Sequence, residues 1–129
     1  MTENIQDKKE TRGQVNSADS QEDCLFCKII AGQVPSRAIY ENETTYAFAD
    51  INPKAKVHVL VVPKKHYRNV FELAQANPAE LVDMINVAQT IADKEYHGHF
   101  RLEFNTGEDA GQSVFHVHAH VLTGEKLEE

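Results

Sequence analysis

The clearest periodicity in the 129-residue chain lies between Asn77 and Tyr96, where apolar residues recur as Leu81, Met84, Ile85, Ala88 and Ile91/Ala92. Steps of three and four place these side chains on one stripe of an α-helix. Asn77 is suited to cap it, Pro78 fits the first helical position, and Glu80 completes a variant capping box. A helix running to about Tyr96 would be roughly 27–30 Å long. Elsewhere the period is two. Ala38/Tyr40 and Tyr46/Phe48/Asp50 predict two strands joined by a turn at Glu41-Asn42-Glu43. Val57 to Val62 is β-branched and apolar enough for a buried strand, broken only by His58. Asn52-Pro53-Lys54 marks a turn before it. Phe100 to Asn105 alternates as a strand with one wet face. Thr106 to Ser113 is a loop, and Val114 to Leu122 is the last predicted strand. Near the start, Asp23 is placed to cap a short helix, Cys24 to Ala31, which Gly32 ends. Together these elements predict an α+β domain over residues 23–129, with a largely antiparallel sheet, one long amphipathic helix and a short N-terminal helix.

Apart from Met1, residues 1–22 hold only Ile5 and Val15 as large apolar side chains. Such a stretch cannot bury enough surface to offset the entropy of ordering, so it is expected to be a disordered tail. No run approaches the ~20 apolar residues of a membrane span, and the start lacks the apolar core of a secretory signal. The expected location is therefore cytoplasmic, with no membrane partner. The net charge of -7 repels a phosphate backbone, which argues against a nucleic-acid polymer as partner. A single nucleotide remains open, because one local site can hold it against the global field.

Candidate chemistry is concentrated in His116-Val117-His118-Ala119-His120. In a strand these three imidazoles share one face about 6.5–7 Å apart, while Val117, Ala119 and Val121 face the core. Surface histidines, a metal site and nucleophilic catalysis at phosphorus are the competing readings. The preceding loop, Gly107 to Ser113, contains two glycines that let backbone amides approach an anion, and Gln112 and Ser113 add donors. That supports a phosphate cradle. Cys24-x-x-Cys27 puts two sulfurs one helical turn apart. They read as buried cysteines, as a redox pair, or as zinc ligands in need of two further donors; the surrounding βαβ pattern of redox pairs is missing.

The chain resembles the histidine triad (HIT) family, whose signature is His-x-His-x-His-x-x with apolar x. The likeness runs from Cys24 to Leu122 and includes Cys24-Leu25-Phe26-Cys27-Lys28-Ile29-Ile30, Ala47-Phe48-Ala49-Asp50-Ile51, His58 to His66, Asn105-Thr106-Gly107 and Gly111 to His120. It is closest to the Hint-type nucleoside phosphoramidases. Galactose-transferase relatives carry Gln in place of the third histidine, so His120 implies hydrolysis over nucleotidyl transfer.

The resemblance implies a role for each matching residue. His118 would attack the α-phosphorus of a purine nucleoside 5′-monophosphate derivative and form a nucleotidyl-histidine that water cleaves. His120, Asn105 and the Gly111-Gln112 backbone would lie near the phosphate, Ser113 at the leaving group and His58 behind the triad. Asp50 would take the ribose hydroxyls; Leu25, Phe26, Ile29, Phe48 and Ile51 would wall the base. Cys24, Cys27, His66 and His116 would bind a structural zinc, with no catalytic cofactor. Protomers would pair as a homodimer through Phe100 to Asn105 and the long helix. Competing readings are a dinucleoside polyphosphate hydrolase, and a nucleotide-binding or zinc-stabilised interaction protein with little turnover. His97 and His99 read as a solvated turn.

Overall fold

Cys24, rather than Asp23, caps the first helix. Its Sγ accepts from the Cys27 N–H at 3.3 Å, and α1 (Leu25–Ile30) follows. Asp23 instead ends a 3-10 turn, Gln21–Asp23, which begins two residues before the expected boundary. A computed structural model describes residues 21–129; the rest of the expected tail, residues 1–20, lies outside them. Gly32, at φ +80, follows α1 as the sequence predicts.

The sheet is built from β1 (Ala38–Glu41), β2 (Thr45–Ala49), β3 (Val57–Pro63), β4 (Arg101–Phe104) and β5 (Ala119–Thr123). Its order is β1-β2-β3-β5-β4, and every pairing is antiparallel. Cross-strand neighbours share a face. One row therefore runs Ala38, Phe48, Leu60, His120, Glu103 across all five strands. The alternate residues Ala47, Val59, Val61, Ala119 and Val121 lie on the other face, in the main core.

That core is closed by α3 (Pro78–Tyr96), 19 residues and so about 28 Å long. Met84, Val87, Ala88, Ile91 and Ala92 are its buried apolar residues. Ile85 departs from expectation: it is 42% exposed, and Val87, one turn on from Met84, takes the core position. Asn77 Oδ1 accepts from the Glu80 N–H at 3.4 Å, as a cap should. Glu80 does not reach back, however. Its carboxylate is buried, with Oε2 3.7 Å from Lys65 Nζ and Oε1 without a partner, so only half of the expected capping box forms.

A helix the periodicity did not predict, α2 (Val70–Ala76), precedes α3. Asn69 caps it by accepting from Glu72 N–H at 2.9 Å, and Glu72 accepts in turn from the Arg68 N–H. Its anchor, Leu73, is completely buried, which stabilises by about 1.5–3 kcal/mol. No helix among the described residues is long and apolar enough to cross a membrane.

The last strand is shorter than predicted. Val114 to His118 do not join the ladder, and several of their backbone groups are engaged elsewhere. The Val117 N–H donates to Tyr67 O at 2.8 Å, and the His116 carbonyl accepts from the His118 ring at 2.9 Å. The alternation survives without the ladder: Val117 is buried in the core alongside Ala119 and Val121.

Candidate active site

Three histidines at alternating positions end up with three different surroundings. His116 is fully buried, His118 nearly so, and His120 half-buried. The rings of His118 and His120 pack edge to face, with centroids 5.1 Å apart, and Phe26 lies edge-on to His118 at 5.0 Å. His116 turns away from this pair, toward the two cysteines.

Neighbours fix the proton positions. His118 Nδ1 lies 2.9 Å from the His116 carbonyl, which can only accept, so Nδ1 carries the proton and Nε2 is the basic atom. On His58 the order is reversed: the Lys54 N–H donates to Nδ1 at 3.0 Å, leaving the proton on Nε2. That Nε2 faces His120 Nδ1 at 3.0 Å and Asp50 Oδ2 at 3.4 Å. With His58 donating, His120 accepts at Nδ1 and keeps its proton on Nε2. Burial lowers the pKa of all three below the ordinary histidine value; for His120 the neighbouring His58 lowers it further. All three are therefore neutral near pH 7, with a bare nitrogen on His118 and an N–H on His120.

Asp50, His58 and His120 bring three ligand-type atoms close together. The tautomer argues against a cation there, since His58 Nε2 holds a hydrogen rather than a lone pair. The second cluster differs. His116 Nε2 donates to the Pro63 carbonyl at 2.8 Å, so its Nδ1 is bare, and Nδ1 lies 3.4 Å from Cys24 Sγ and 3.5 Å from Cys27 Sγ. His66 Nδ1 lies 3.4 Å from Cys27 Sγ. A tetrahedral zinc with ordinary Zn–S and Zn–N bonds requires sulfur and nitrogen ligands about 3.5 Å apart. The donor set and spacing fit such an ion, and the bond to the Pro63 carbonyl holds the His116 ring with Nδ1 toward the two sulfurs. Hydrogen bonding from the Cys27 thiol, reinforced by His116 and His66, holds the Cys24 thiol well below the ordinary range despite burial.

An apolar cleft of about 420 Å³ opens beside the triad. Leu25, Phe26, Ile29, Phe48, Asp50 and Ile51, all singled out in the sequence, line it together. Register explains why: Phe48 and Leu60 lie in the same row as His120, and the Asp50 N–H donates to the His58 carbonyl at 3.0 Å. The segment Val34 to Arg37 closes the far side.

The comparisons agree with this geometry. Residues 23–128 match the family model described as "Scavenger mRNA decapping enzyme C-term binding". "Protein hit" of Bacillus subtilis (strain 168) is 42% identical over 102 residues, 78% of this chain and 70% of that protein. The chain belongs to the histidine triad (HIT) family. Among solved structures, a HIT family hydrolase from Clostridium thermocellum is 42% identical with a TM-score of 0.80, covering 85% of this chain and 97% of the other. A histidine triad protein from Clostridium difficile is 39% identical with a TM-score of 0.79, covering 85% and 97%.

Within this HIT fold the glycine loop behaves differently from expectation. Gln112 is buried, and its side chain is engaged at both ends: Oε1 accepts from the Gly107 N–H at 2.9 Å, while Nε2 donates to the Arg68 and Val114 carbonyls at 2.7 and 3.1 Å. Its own N–H donates to Gly107 O at 3.0 Å. Gln112 therefore braces the loop instead of offering a free donor to a phosphate. Gly111, at φ +95, lies against Asn105, and a Cβ there would sit 3.8 Å from Asn105 Nδ2. Ser113 is exposed at the end of the loop. Sequence reasoning missed the backbone contributions of Lys54, Pro63 and Tyr67, which no side-chain pattern announces. It also missed Arg37 at the cleft. His97 and His99 are exposed after α3, with His97 in the left-handed region at φ 42.

Proposed function

We propose that this HIT protein is a hydrolase of purine nucleoside 5′-monophosphate derivatives, with phosphoramidates as the preferred class. The observation that carries the reading is the tautomer of His118. Its Nδ1–H is committed to the His116 carbonyl, and burial keeps the ring neutral, which leaves Nε2 as a nucleophile at neutral pH. In the proposed reaction Nε2 bonds to the α-phosphorus as the P–N bond to the leaving amine breaks. The electron pair leaves with the amine, which takes up a proton. Water then attacks phosphorus, the P–Nε2 bond breaks, and the nucleoside monophosphate departs. His120, with its N–H on Nε2, is suited to donate to the phosphate oxygens, and His58 orients it. Asn105 and Gly111 would border the phosphate, and Ser113 would meet the leaving group. The cleft would hold the nucleoside, with the Asp50 carboxylate accepting from the ribose hydroxyls.

The proposal extends to a structural zinc on Cys24, Cys27, His66 and His116, supported by their spacing. Four protein ligands close the coordination shell and leave no position for substrate. It also extends to a homodimer. β4 is an edge strand, and α3 carries exposed Val82 and Ile85; both features suit pairing with a second copy.

The test is hydrolysis of fluorogenic adenosine and guanosine phosphoramidates by the wild type and His118→Gln, with mass spectrometry of rapidly quenched wild type. Turnover with a nucleotidyl adduct on His118, both lost in the variant, supports the reading. Equal turnover by the variant sinks the nucleophile assignment, and cleavage of dinucleoside polyphosphates alone replaces the substrate class.

A further inference from the structure

Of the twelve described residues lining the cleft, only Ser36, Arg37 and Asp50 have polar side chains. Two of these are already engaged. Ser36 Oγ pairs with the Tyr46 hydroxyl at 2.7 Å. Asp50 lies at the triad end, 3.4 Å from His58 Nε2, and is the group proposed above for the ribose. Arg37 remains. It is exposed, and its side chain forms no hydrogen bond or ion pair with any described residue. Its backbone is anchored, since the Arg37 carbonyl accepts from the Ala49 N–H at 3.0 Å. A guanidinium with no partner among the described residues thus stands at a largely apolar cleft, next to the strand end from which Asp50 leaves.

The sheet register gives the cleft a direction. The proposed phosphate chemistry lies at the start of β5, where His118 precedes the strand and His120 stands in it. Across the row from it lie Leu60 on β3, Phe48 on β2 and Ala38 on β1. A nucleoside with its phosphate at β5 and its ribose at Asp50 extends toward the β1 side, where Arg37 precedes Ala38. The apolar walls take up any planar base and discriminate weakly among them. A guanidinium offers only donors, in a planar fork. Guanine and hypoxanthine present two acceptors to such a fork, N7 and O6, whereas adenine presents N7 and the N6 amino donor.

We infer that Arg37 reads the base and makes this cleft select 6-oxopurine nucleotides over adenine nucleotides. The inference rests on the nucleoside reading proposed above and deepens it. Arg37 acts here as a specificity residue, far from the reacting phosphorus.

The test is calorimetric titration of the full-length protein with GMP, IMP and AMP, repeated on Arg37→Met and Arg37→Gln. The wild type is expected to bind GMP and IMP about tenfold more tightly than AMP. Arg37→Met should bring the three affinities together. Arg37→Gln, whose amide matches adenine N6 and N7, should move the preference toward AMP. The kcat/KM ratio for matched guanosine and adenosine phosphoramidates should follow the same order. Both variants replace an exposed side chain, and unchanged melting temperatures would verify that they are folded. A wild-type preference under twofold, a preference that persists in Arg37→Met, or tight GMP with weak IMP would each overturn the role of Arg37 while leaving the nucleoside reading intact. Failure of all three nucleotides to bind the folded wild type would overturn both.

Discussion

The His118 ring donates through Nδ1 to the carbonyl of His116, two residues back in its own chain, at 2.9 Å. This contact is possible because residues 116–118 stay out of the sheet ladder, leaving that carbonyl free. It follows that His118→Gln should reduce phosphoramidate turnover on the order of 10³-fold or more, the scale set by removing a nucleophile. His118→Asn, which keeps a short donor to the carbonyl, should be equally inactive. Single-turnover kinetics on both variants provides the check; activity in either would mean that another group attacks phosphorus.

The thiol–imidazole cluster should contain one zinc per chain by elemental analysis of protein purified without chelator. Cys27→Ser and His66→Ala should lose the metal and lower the melting temperature, because α1 would lose its tie to residue 116. Turnover should survive brief chelation better than it survives His118→Gln. A metal-free wild type of full stability would remove zinc from the account.

Two glycines in left-handed conformation should respond differently to alanine. At Gly111, φ +95, a Cβ meets only ordinary contacts with Asn105, so the cost is backbone strain of about 1–2 kcal/mol. At Gly124, φ +88, a Cβ would lie 2.7 Å from Val57 Cγ2, and a clash adds to the strain. Urea denaturation should therefore rank Gly124→Ala as the less stable variant. Turnover should fall more in Gly111→Ala, which borders the proposed phosphate position. The reverse order in denaturation would show that the β5 end relaxes freely.

Burial depresses His58 and His120 below their unfolded pKa near 6.5. Between the folded and unfolded values the unfolded chain binds more protons, so stability must rise with pH in that window. Stability is thus complete above about pH 6.5 and is lost as pH falls through the lower folded values. Melting temperatures across pH 5 to 8 should trace this, and His120→Asn should flatten the slope. A slope unchanged in that variant would assign the acid sensitivity to other groups.

The proposed dimer places Val82 and Ile85 of α3 in an interface, where a charge would be costly to bury. Ile85→Lys should convert the dimer to monomer in sedimentation velocity, with little effect on monomer folding because Ile85 is 42% exposed. A wild type that sediments as a monomer at micromolar concentration would remove the dimer.

Much of this architecture was legible from residues alone, for identifiable reasons. Regular periodicity gave α3 and the strand positions, and Pro78 after Asn77 located the helix start to the residue. The short α2 escaped because only Leu73 is fully buried, although Asn69 and Glu72 carried a capping signal. The start of β5 differs from the expected Val114 because Val117 bonds to Tyr67, fifty residues earlier, and no local pattern encodes that distance. Likewise Gln112 looks like a ligand donor in sequence; only the fold reveals that Gly107, Arg68 and Val114 occupy its side-chain groups. Side-chain identities could be read, but their tautomers depended on backbone neighbours at Lys54, Pro63 and His116.

Ile51 follows Asp50 at the mouth of the cleft and is 91% exposed, an unusual setting for so apolar a side chain. A planar ligand laid against it takes that surface out of water together with its own face. Association should then carry a negative heat-capacity change, so that the enthalpy of capture becomes more favourable on warming. The temperature coefficient of binding, more than its strength at one temperature, is the signature this one exposed residue should leave.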